Sequence, residues 1–252
     1  MNAIILAGGM GKRLRPLTDD KPKPMIEISG KPILEWQLLW LKSYDIKQII
    51  LCTVYMNENI REYFGNGEKL NMNIQYSIEK DPLGTGGALK NSESYIEPDS
   101  NFLVLNGDIM TNMTPPDFAL APSFDNPNLV GIISVVGLRS PFGEVEIDNG
   151  GYISKFAENP LHDDYWINAG VYCFYHEIFS YLPSSGSLES DVFPVGVSFF
   201  NKSEHSSFFS ISPLPAVSII TPDPLPERGN ARKWSRTVAT AATLTTPSLS
   251  DS

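Results

Sequence analysis

Several short stretches of the 252-residue chain bring together residue types that could do chemistry. Gly8-Gly9-Met10-Gly11-Lys12-Arg13-Leu14-Arg15 follows an apolar run and joins glycines to two arginines. Glycines let backbone approach a ligand without a Cβ in the way, consecutive amides in such a loop make an anion-binding concavity, and guanidinium groups grip phosphate through paired hydrogen bonds. This is the chemistry of a phosphate loop. It is not a Walker loop, because no Gly-Lys-Ser/Thr closes it, and the G-x-G-x-x-G spacing of a dinucleotide fold is missing. Lys21-Pro22-Lys23-Pro24 then places an ammonium on a segment that its prolines exclude from a helix. A second glycine-rich stretch, Leu83 to Gly87, and the turn Asn106-Gly107-Asp108 complete the set. Taken singly, each fragment also reads as a plain strand-to-helix connection, a solvated loop or a turn residue.

The elements that must position these groups follow from the apolar pattern. Ala3 to Ala7, Gln48 to Val54 and Phe102 to Leu105 are short continuous apolar runs, which is how strands covered on both faces of a parallel sheet read. Pro32 to Tyr44 has the spacing of a buried helix, a short helix is expected near Asn59 to Phe64, a strand at Asn73 to Ile78, and a helix from Ala88 to about Tyr95 after the glycine-rich turn. The alternation predicts an α/β fold with a mainly parallel, Rossmann-like sheet whose ligands bind outside the carboxyl ends of the strands. Beyond residue 115 the texture shifts to shorter strands, at Leu129 to Val136, Gly143 to Ile147, Tyr152 to Phe156 and Asn168 to Tyr175, expected as an antiparallel extension.

Composition narrows the partners. With 29 acidic against 19 basic residues, a formal charge of −10 and a pI near 4.8, the chain lacks the basic balance of a nucleic-acid binder. Cys52 and Cys173 sit in apolar stretches without metal-ligand spacing, and a reducing compartment fits them best. No run of 18 apolar residues exists, so no membrane association is expected and the reading is cytoplasmic. After Pro194 the pattern breaks: 23 of the 58 residues from Val195 to Ser252 are Ser, Thr or Pro. Residues 1–194 are expected to form one domain, and 195–252 a divergent tail, poorly ordered over its last part.

Leu6-Ala7-Gly8-Gly9-x-Gly11-x-Arg13-Leu14-x-Pro16-Leu17-Thr18 followed by Lys21-Pro22-Lys23-Pro24 resembles the signature of the sugar-1-phosphate nucleotidyltransferases. Pro82 to Leu89 resembles their second nucleotide-binding loop, Asn106-Gly107-Asp108 their metal-binding turn, Glu158-Asn159-Pro160 their Glu-Lys-Pro sugar motif, Asn168-Ala169-Gly170 their sugar-contacting strand, and Leu188 to Pro194 a helix that usually follows. The similarity runs to about residue 194 and looks closest to mannose-1-phosphate guanylyltransferases. It departs at Lys12, where the family usually has Thr or Ser, and at Asn159 in place of lysine. The second metal aspartate of a Trp-x-Asp-x-Gly-Thr-Pro segment is also not found, since Trp234 precedes Ser235-Arg236 and Asp223 lies between prolines.

The resemblance implies a glycosyltransferase-A-like fold with an antiparallel sugar-binding extension. It implies transfer of a nucleotidyl group from a nucleoside triphosphate, GTP favoured, to a sugar 1-phosphate, mannose 1-phosphate favoured, with release of pyrophosphate. Arg13 and Lys23 become catalytic residues. Leu6, Ala7, Gly8, Gly9, Gly11, Arg13, Glu79, Gly84 and Thr85 become nucleotide-binding residues. Asn106, Gly143, Glu158 and Asn168 become sugar-binding residues, and Asp108 a ligand for Mg²⁺. A carboxylate at Glu79 can accept from the adjacent N1–H and 2-amino groups of guanine, whereas thymine and uracil are met better by an amide. Heptose 1-phosphate, glucose 1-phosphate, other bases and a non-catalytic nucleotide-sugar-binding subunit stay open as alternatives, as does a homo-oligomer.

Overall fold

The computed structural model describes residues 1–54, 56–115, 130–194 and 209–213. The chain opens with β1 (Asn2–Leu6), short 3-10 turns at Lys12–Leu14 and Lys23–Met25, and a small antiparallel pair of β2 (Glu27–Ile28) and β3 (Lys31–Pro32). Then come α1 (Ile33–Ser43), β4 (Gln48–Thr53), α2 (Asn57–Phe64), β5 (Asn73–Ile78), α3 (Gly84–Asn91) and β6 (Asn101–Asn106). The second half supplies β7 (Gly131–Arg139), the hairpin of β8 (Glu144–Ile147) and β9 (Ile153–Ala157), the long β10 (Leu161–Tyr175), a π-helical turn at Leu188–Val192, and β11 (Phe209–Pro213).

The described strands form a sheet ordered β11-β7-β10-β6-β1-β4-β5. β1 lies parallel to β4 and β6, and β4 to β5, while β10 runs antiparallel to both β6 and β7. The predicted class is therefore what forms. β1 shows why its run is continuously apolar: Ala3 and Ile5 pack on one face with Leu34, Leu38 and Leu41 of α1, and Ile4 and Leu6 pack on the other with Leu89 of α3 and Phe179. With helices on both faces, no strand position here can be polar without burying an unsatisfied group.

Three expectations are corrected in detail. The glycine-rich stretch is not a turn before α3 but its first turn, because Gly86 and Gly87 amides donate to the Gly186 carbonyl oxygen at 2.9 and 3.3 Å. A side chain on Gly87 would come within 2.8 Å of the Ser184 carbonyl oxygen, so glycine there lets a loop lie flat against the helix. α3 correspondingly stops at Asn91, followed by a separate 3-10 turn at Glu93–Tyr95. β10 begins at Leu161, not Asn168, and carries two register irregularities, one of them between Asn168 and Tyr172 where Gly170 takes φ +72°. Bulges of this kind re-aim side chains at sheet ends.

β11, inside the expected tail, pairs in parallel with β7, so the sheet extends beyond residue 194. Leu129, Asp223, Trp234 and the tail positions other than those of β11 lie outside the described residues. No described helix is long and apolar enough to cross a membrane.

Candidate functional site

The site is assembled where β1, β4, β5 and β6 end. Ala7 donates to the Cys52 carbonyl at 2.8 Å and Gly107 to the Leu6 carbonyl at 3.0 Å, tying the glycine loop to the strand on one side and the Asn106-Gly107-Asp108 turn on the other. A Cβ on Gly107 would sit 2.8 Å from that same Leu6 oxygen, so only glycine allows the approach. The Gly8 to Thr18 loop is closed on itself: Leu14 N–H donates to the Gly11 carbonyl at 2.8 Å and the Thr18 hydroxyl donates to it at 2.9 Å. Gly11 has φ +62°, and a Cβ there would meet Thr18 at 2.8 Å and the Lys23 Cβ at 3.1 Å. The loop and the Lys-Pro segment thus touch. Arg13 projects from the Lys12–Leu14 turn, exposed, and no acidic partner appears for it among the described residues. Arg15, by contrast, pairs with Asp19 at 3.4 Å on the surface.

Lys23 and Asp108, 85 positions apart, form an ion pair. Their side chains are 27% and 38% exposed, open enough for an incoming polyanion or cation to compete for either. Asp108 is held from behind by Gln37 of α1, whose amide nitrogen donates to the carbonyls of Asn106 and Ile109 at 2.8 and 2.7 Å. No group of three or more Asp, Glu, His or Cys that could cage a metal occurs among the described residues. One partly exposed carboxylate does fit Mg²⁺, which is commonly held by one or two carboxylates with substrate phosphates completing its shell.

Glu79 follows β5 and is only 6% exposed. Its backbone N–H donates to the Thr53 carbonyl at 2.9 Å, and its Oε2 accepts from Leu83 N–H at 2.9 Å. Its Oε1 has no partner and lies 3.7 Å from where a Cβ on Gly8 would be. Burial raises its pKa, with the Leu83 hydrogen bond opposing. Glu79 is thus a buried acceptor beside the glycine loop, lacking a donor on one oxygen.

The residues expected to meet a sugar fall into two groups. Asn168 donates through its amide to the Tyr172 hydroxyl at 2.8 Å and accepts from Gly170 N–H at 2.9 Å, and a Cβ on Gly170 would lie 3.0 Å from Asn106 Nδ2. Asn106 Oδ1 is buried and unpartnered. Tyr172 is fully buried, and its phenol is pushed up to about 12, chiefly by burial. Gly143 and Glu158 form the second group, since a Cβ on Gly143 would come 2.8 Å from Glu158 Oε2. Thr85 connects to the first group through Glu189, whose other carboxylate oxygen accepts from the Tyr172 hydroxyl at 3.5 Å. The Thr85 hydroxyl donates to Glu189 at 2.7 Å and accepts from Leu188 N–H at 2.8 Å, fastening α3 to the π-helical turn. Gly84, at φ +76°, packs against Gly186.

Gln37, Tyr172 and Glu189 were not singled out by sequence. Gln37 did carry a signal: it is a polar residue one turn after Ile33 and one turn before Leu41, on the face of α1 that faces the core.

These loops, in this order at this sheet edge, define a nucleotide-binding transferase site. The family profile described as Nucleotidyl transferase matches residues 2–194, and the chain belongs to that family of sugar-1-phosphate nucleotidyltransferases. A D-glycero-α-D-manno-heptose 1-phosphate guanylyltransferase of Campylobacter jejuni is 37% identical over 180 residues, covering 71% of this chain and 78% of its own length. A mannose-1-phosphate guanylyltransferase of Mycobacterium tuberculosis is 34% identical over 202 residues, 77% of this chain and 55% of its own. Among solved structures, HddC of Yersinia pseudotuberculosis complexed with GMP-PN aligns with TM-score 0.63 and 31% identity, over 84% of this chain and 89% of that one. The chain thus spans most of the heptose relative and about half of the mycobacterial one.

Proposed function

We propose that the chain transfers guanylate from GTP to a sugar 1-phosphate of manno configuration, mannose 1-phosphate or a manno-heptose 1-phosphate, releasing pyrophosphate. The observation that carries the base is Glu79, a buried carboxylate with one oxygen bound to Leu83 and the other lacking a donor beside Gly8. Guanine offers two adjacent donors where uracil and thymine offer one. The sugar follows the relatives, since the heptose and mannose guanylyltransferases share the manno ring configuration in their names.

In this reading the sugar phosphate oxygen attacks the α-phosphorus and pyrophosphate leaves. Both reactants are polyanions, so positioning and charge neutralisation supply most of the catalysis. The Gly8 to Gly11 amides and Arg13 receive the triphosphate. Lys23 leaves Asp108 to meet phosphate oxygens as negative charge gathers. Asp108 would hold Mg²⁺, which when bound neutralises phosphate charge. Asn106, Asn168, Gly143 and Glu158 line the sugar side. A second reading, a non-catalytic nucleotide-sugar-binding subunit, is favoured by Asn159 standing where the family has lysine, at φ +48° with its carbonyl accepting from Arg139 at 3.1 Å. The deciding experiment incubates the protein with Mg²⁺, each nucleoside triphosphate and a panel of sugar 1-phosphates, and measures pyrophosphate. Release with GTP and a manno sugar is expected. Release only with another base rejects the Glu79 argument, and GTP binding without release supports the subunit reading.

A further inference from the structure

Gln37 is 3% exposed, in the middle of a helix whose other buried positions are Ile33, Leu34, Leu38, Leu41 and Glu35, the last paired with Lys31 and the Tyr63 hydroxyl. An amide there is costly unless its polar atoms are used. Both Nε2 hydrogens are used, on the carbonyls of Asn106 and Ile109, which bracket Asp108 from either side. Its Oε1 is buried with no partner. A side chain present only to fill this space would be better as leucine or methionine, which would bury no orphan oxygen. The amide is therefore retained for its two donors.

Those donors hold the backbone carbonyls on either side of Asp108. The turn has two further tethers, Gly107 N–H to the Leu6 carbonyl at 3.0 Å and Ile109 N–H to the Asn106 carbonyl at 3.1 Å. Neither reaches across from the layer that carries Lys23. α1 does. Its first residue, Ile33, donates to the Ile26 carbonyl at 3.0 Å, immediately after the Lys23–Met25 turn, so the helix ends on one catalytic segment and grips the other through Gln37. We propose that Gln37 is a positioning residue that sets Asp108 against Lys23, and thereby the affinity of the Asp108 carboxylate for a divalent cation. This rests on the transferase reading above for its role in turnover, but not for its effect on cation binding.

The test compares wild type with Gln37→Met, which keeps length and removes both donors, and with Gln37→Glu, which keeps volume and turns acceptor oxygens toward two carbonyls. Mn²⁺ binding to the GTP-loaded protein, followed by electron paramagnetic resonance, is read beside kcat and the KM for each substrate. The expected result is a Mn²⁺ Kd raised about tenfold, a matching rise in the Mg²⁺ concentration for half-maximal rate, and KM for GTP and sugar within about twofold at saturating metal. Unchanged Mn²⁺ affinity in Gln37→Met overturns the proposal, as does an equal loss in all three affinities, which would mark a merely structural residue. Should Gln37→Met fail to fold by circular dichroism, Gln37→Glu carries the same expectation, and unfolding of both assigns Gln37 to stability alone and overturns it. If wild type releases no pyrophosphate with any substrate pair, the transferase reading fails while the Mn²⁺ titration still decides this one.

Discussion

The parallel half of the sheet and its antiparallel extension are built to different standards. β1, β4 and β6 are buried on both faces along almost their whole length, and the loops leaving them are pinned by backbone hydrogen bonds and by glycines that admit no side chain. The β8–β9 hairpin leaves its apolar face to solvent, with Ile147, Ile153 and Phe156 each 64–66% exposed, while its opposite face carries the exposed Glu146–Lys155 pair and the half-buried Glu144, which is bonded to His162 of β10 at 2.8 Å. In the proposed reading the phosphate-handling groups, Arg13, Lys23 and Asp108, sit on the rigid half. Groups expected to choose the sugar, Gly143 and Glu158, sit on the thin half. On that reading most of the reaction and part of the sugar selectivity sit on parts of unequal stability, Asn106 at the end of β6 excepted, and changes in the hairpin need not disturb the phosphate end.

The sharpest way to break this comparison is at Lys23. Lys23→Ala should lower kcat by about 10²–10³-fold, equivalent to about 3–4 kcal/mol, with KM for GTP changed by less than about threefold, because its charge matters most as phosphates crowd together in the transition state. Asp108→Asn should lower turnover to a comparable degree. Since the two side chains contact each other, the double variant should lose much less than the product of the single losses. Pyrophosphate release at saturating Mg²⁺ measures all three, and strict multiplicativity would show that the ion pair has no functional meaning.

Next in size is the rigid half itself. Leu38 is fully buried between α1 and the sheet, so Leu38→Ala should cost about 2–5 kcal/mol by urea denaturation. A loss under about 1 kcal/mol would mean that this layer is not the packed scaffold described.

That layer was the most legible part of the sequence. Ala3-Ile4-Ile5-Leu6-Ala7 reads as a doubly covered strand because both of its faces are covered, and Lys23 and Asp108 were recognisable because Lys21-Pro22-Lys23-Pro24 and Asn106-Gly107-Asp108 match a family's motifs in order and spacing. What escaped was set by long-range contact. The glycines from Gly84 to Gly87 look like a ligand loop from sequence, yet their requirement comes from Ser184 to Gly186, about a hundred positions away. Gln37, Tyr172 and Glu189 act through partners that no spacing rule connects. β10 was expected to begin at Asn168 because its first half, with Tyr165, Trp166 and Ile167 exposed, has no alternation of buried and solvated positions to mark it.

A smaller effect sharpens the base reading. Burial raises the Glu79 pKa, so the carboxylate is lost as pH falls through a value above the ordinary glutamate range. Only the ionised form offers acceptors to both guanine donors, hence GTP affinity should be constant near pH 8 and decline toward pH 5, with a steeper decline than the triphosphate alone would give. Glu79→Gln should weaken GTP about tenfold at pH 8, near 1.4 kcal/mol and at the lower edge of the about 1.5–3 kcal/mol of a hydrogen bond to a charged group, and flatten the profile. Calorimetric titration across that range checks it, and a wild-type profile as flat as the variant's would remove Glu79 from the base site.

The smallest expected effect lies in the hairpin. Val145 pairs with Phe156 across β8 and β9 and, beyond a register shift after Glu146, Ile147 pairs with Ile153, so these four make one apolar face. Because Ile147 and Ile153 are 64% and 66% exposed in the folded chain, replacing either by serine removes little buried area, and the stability change should stay within about 0.5 kcal/mol. The same variants should leave kcat and the KM for GTP unchanged, since neither residue touches the phosphate end. Urea denaturation with steady-state kinetics on Ile147→Ser and Ile153→Ser tests this directly. A loss of 2 kcal/mol or more, the size expected of a core position, would mean that this face is covered in solution, and the contrast between a rigid half and a thin one would then belong to the isolated chain alone.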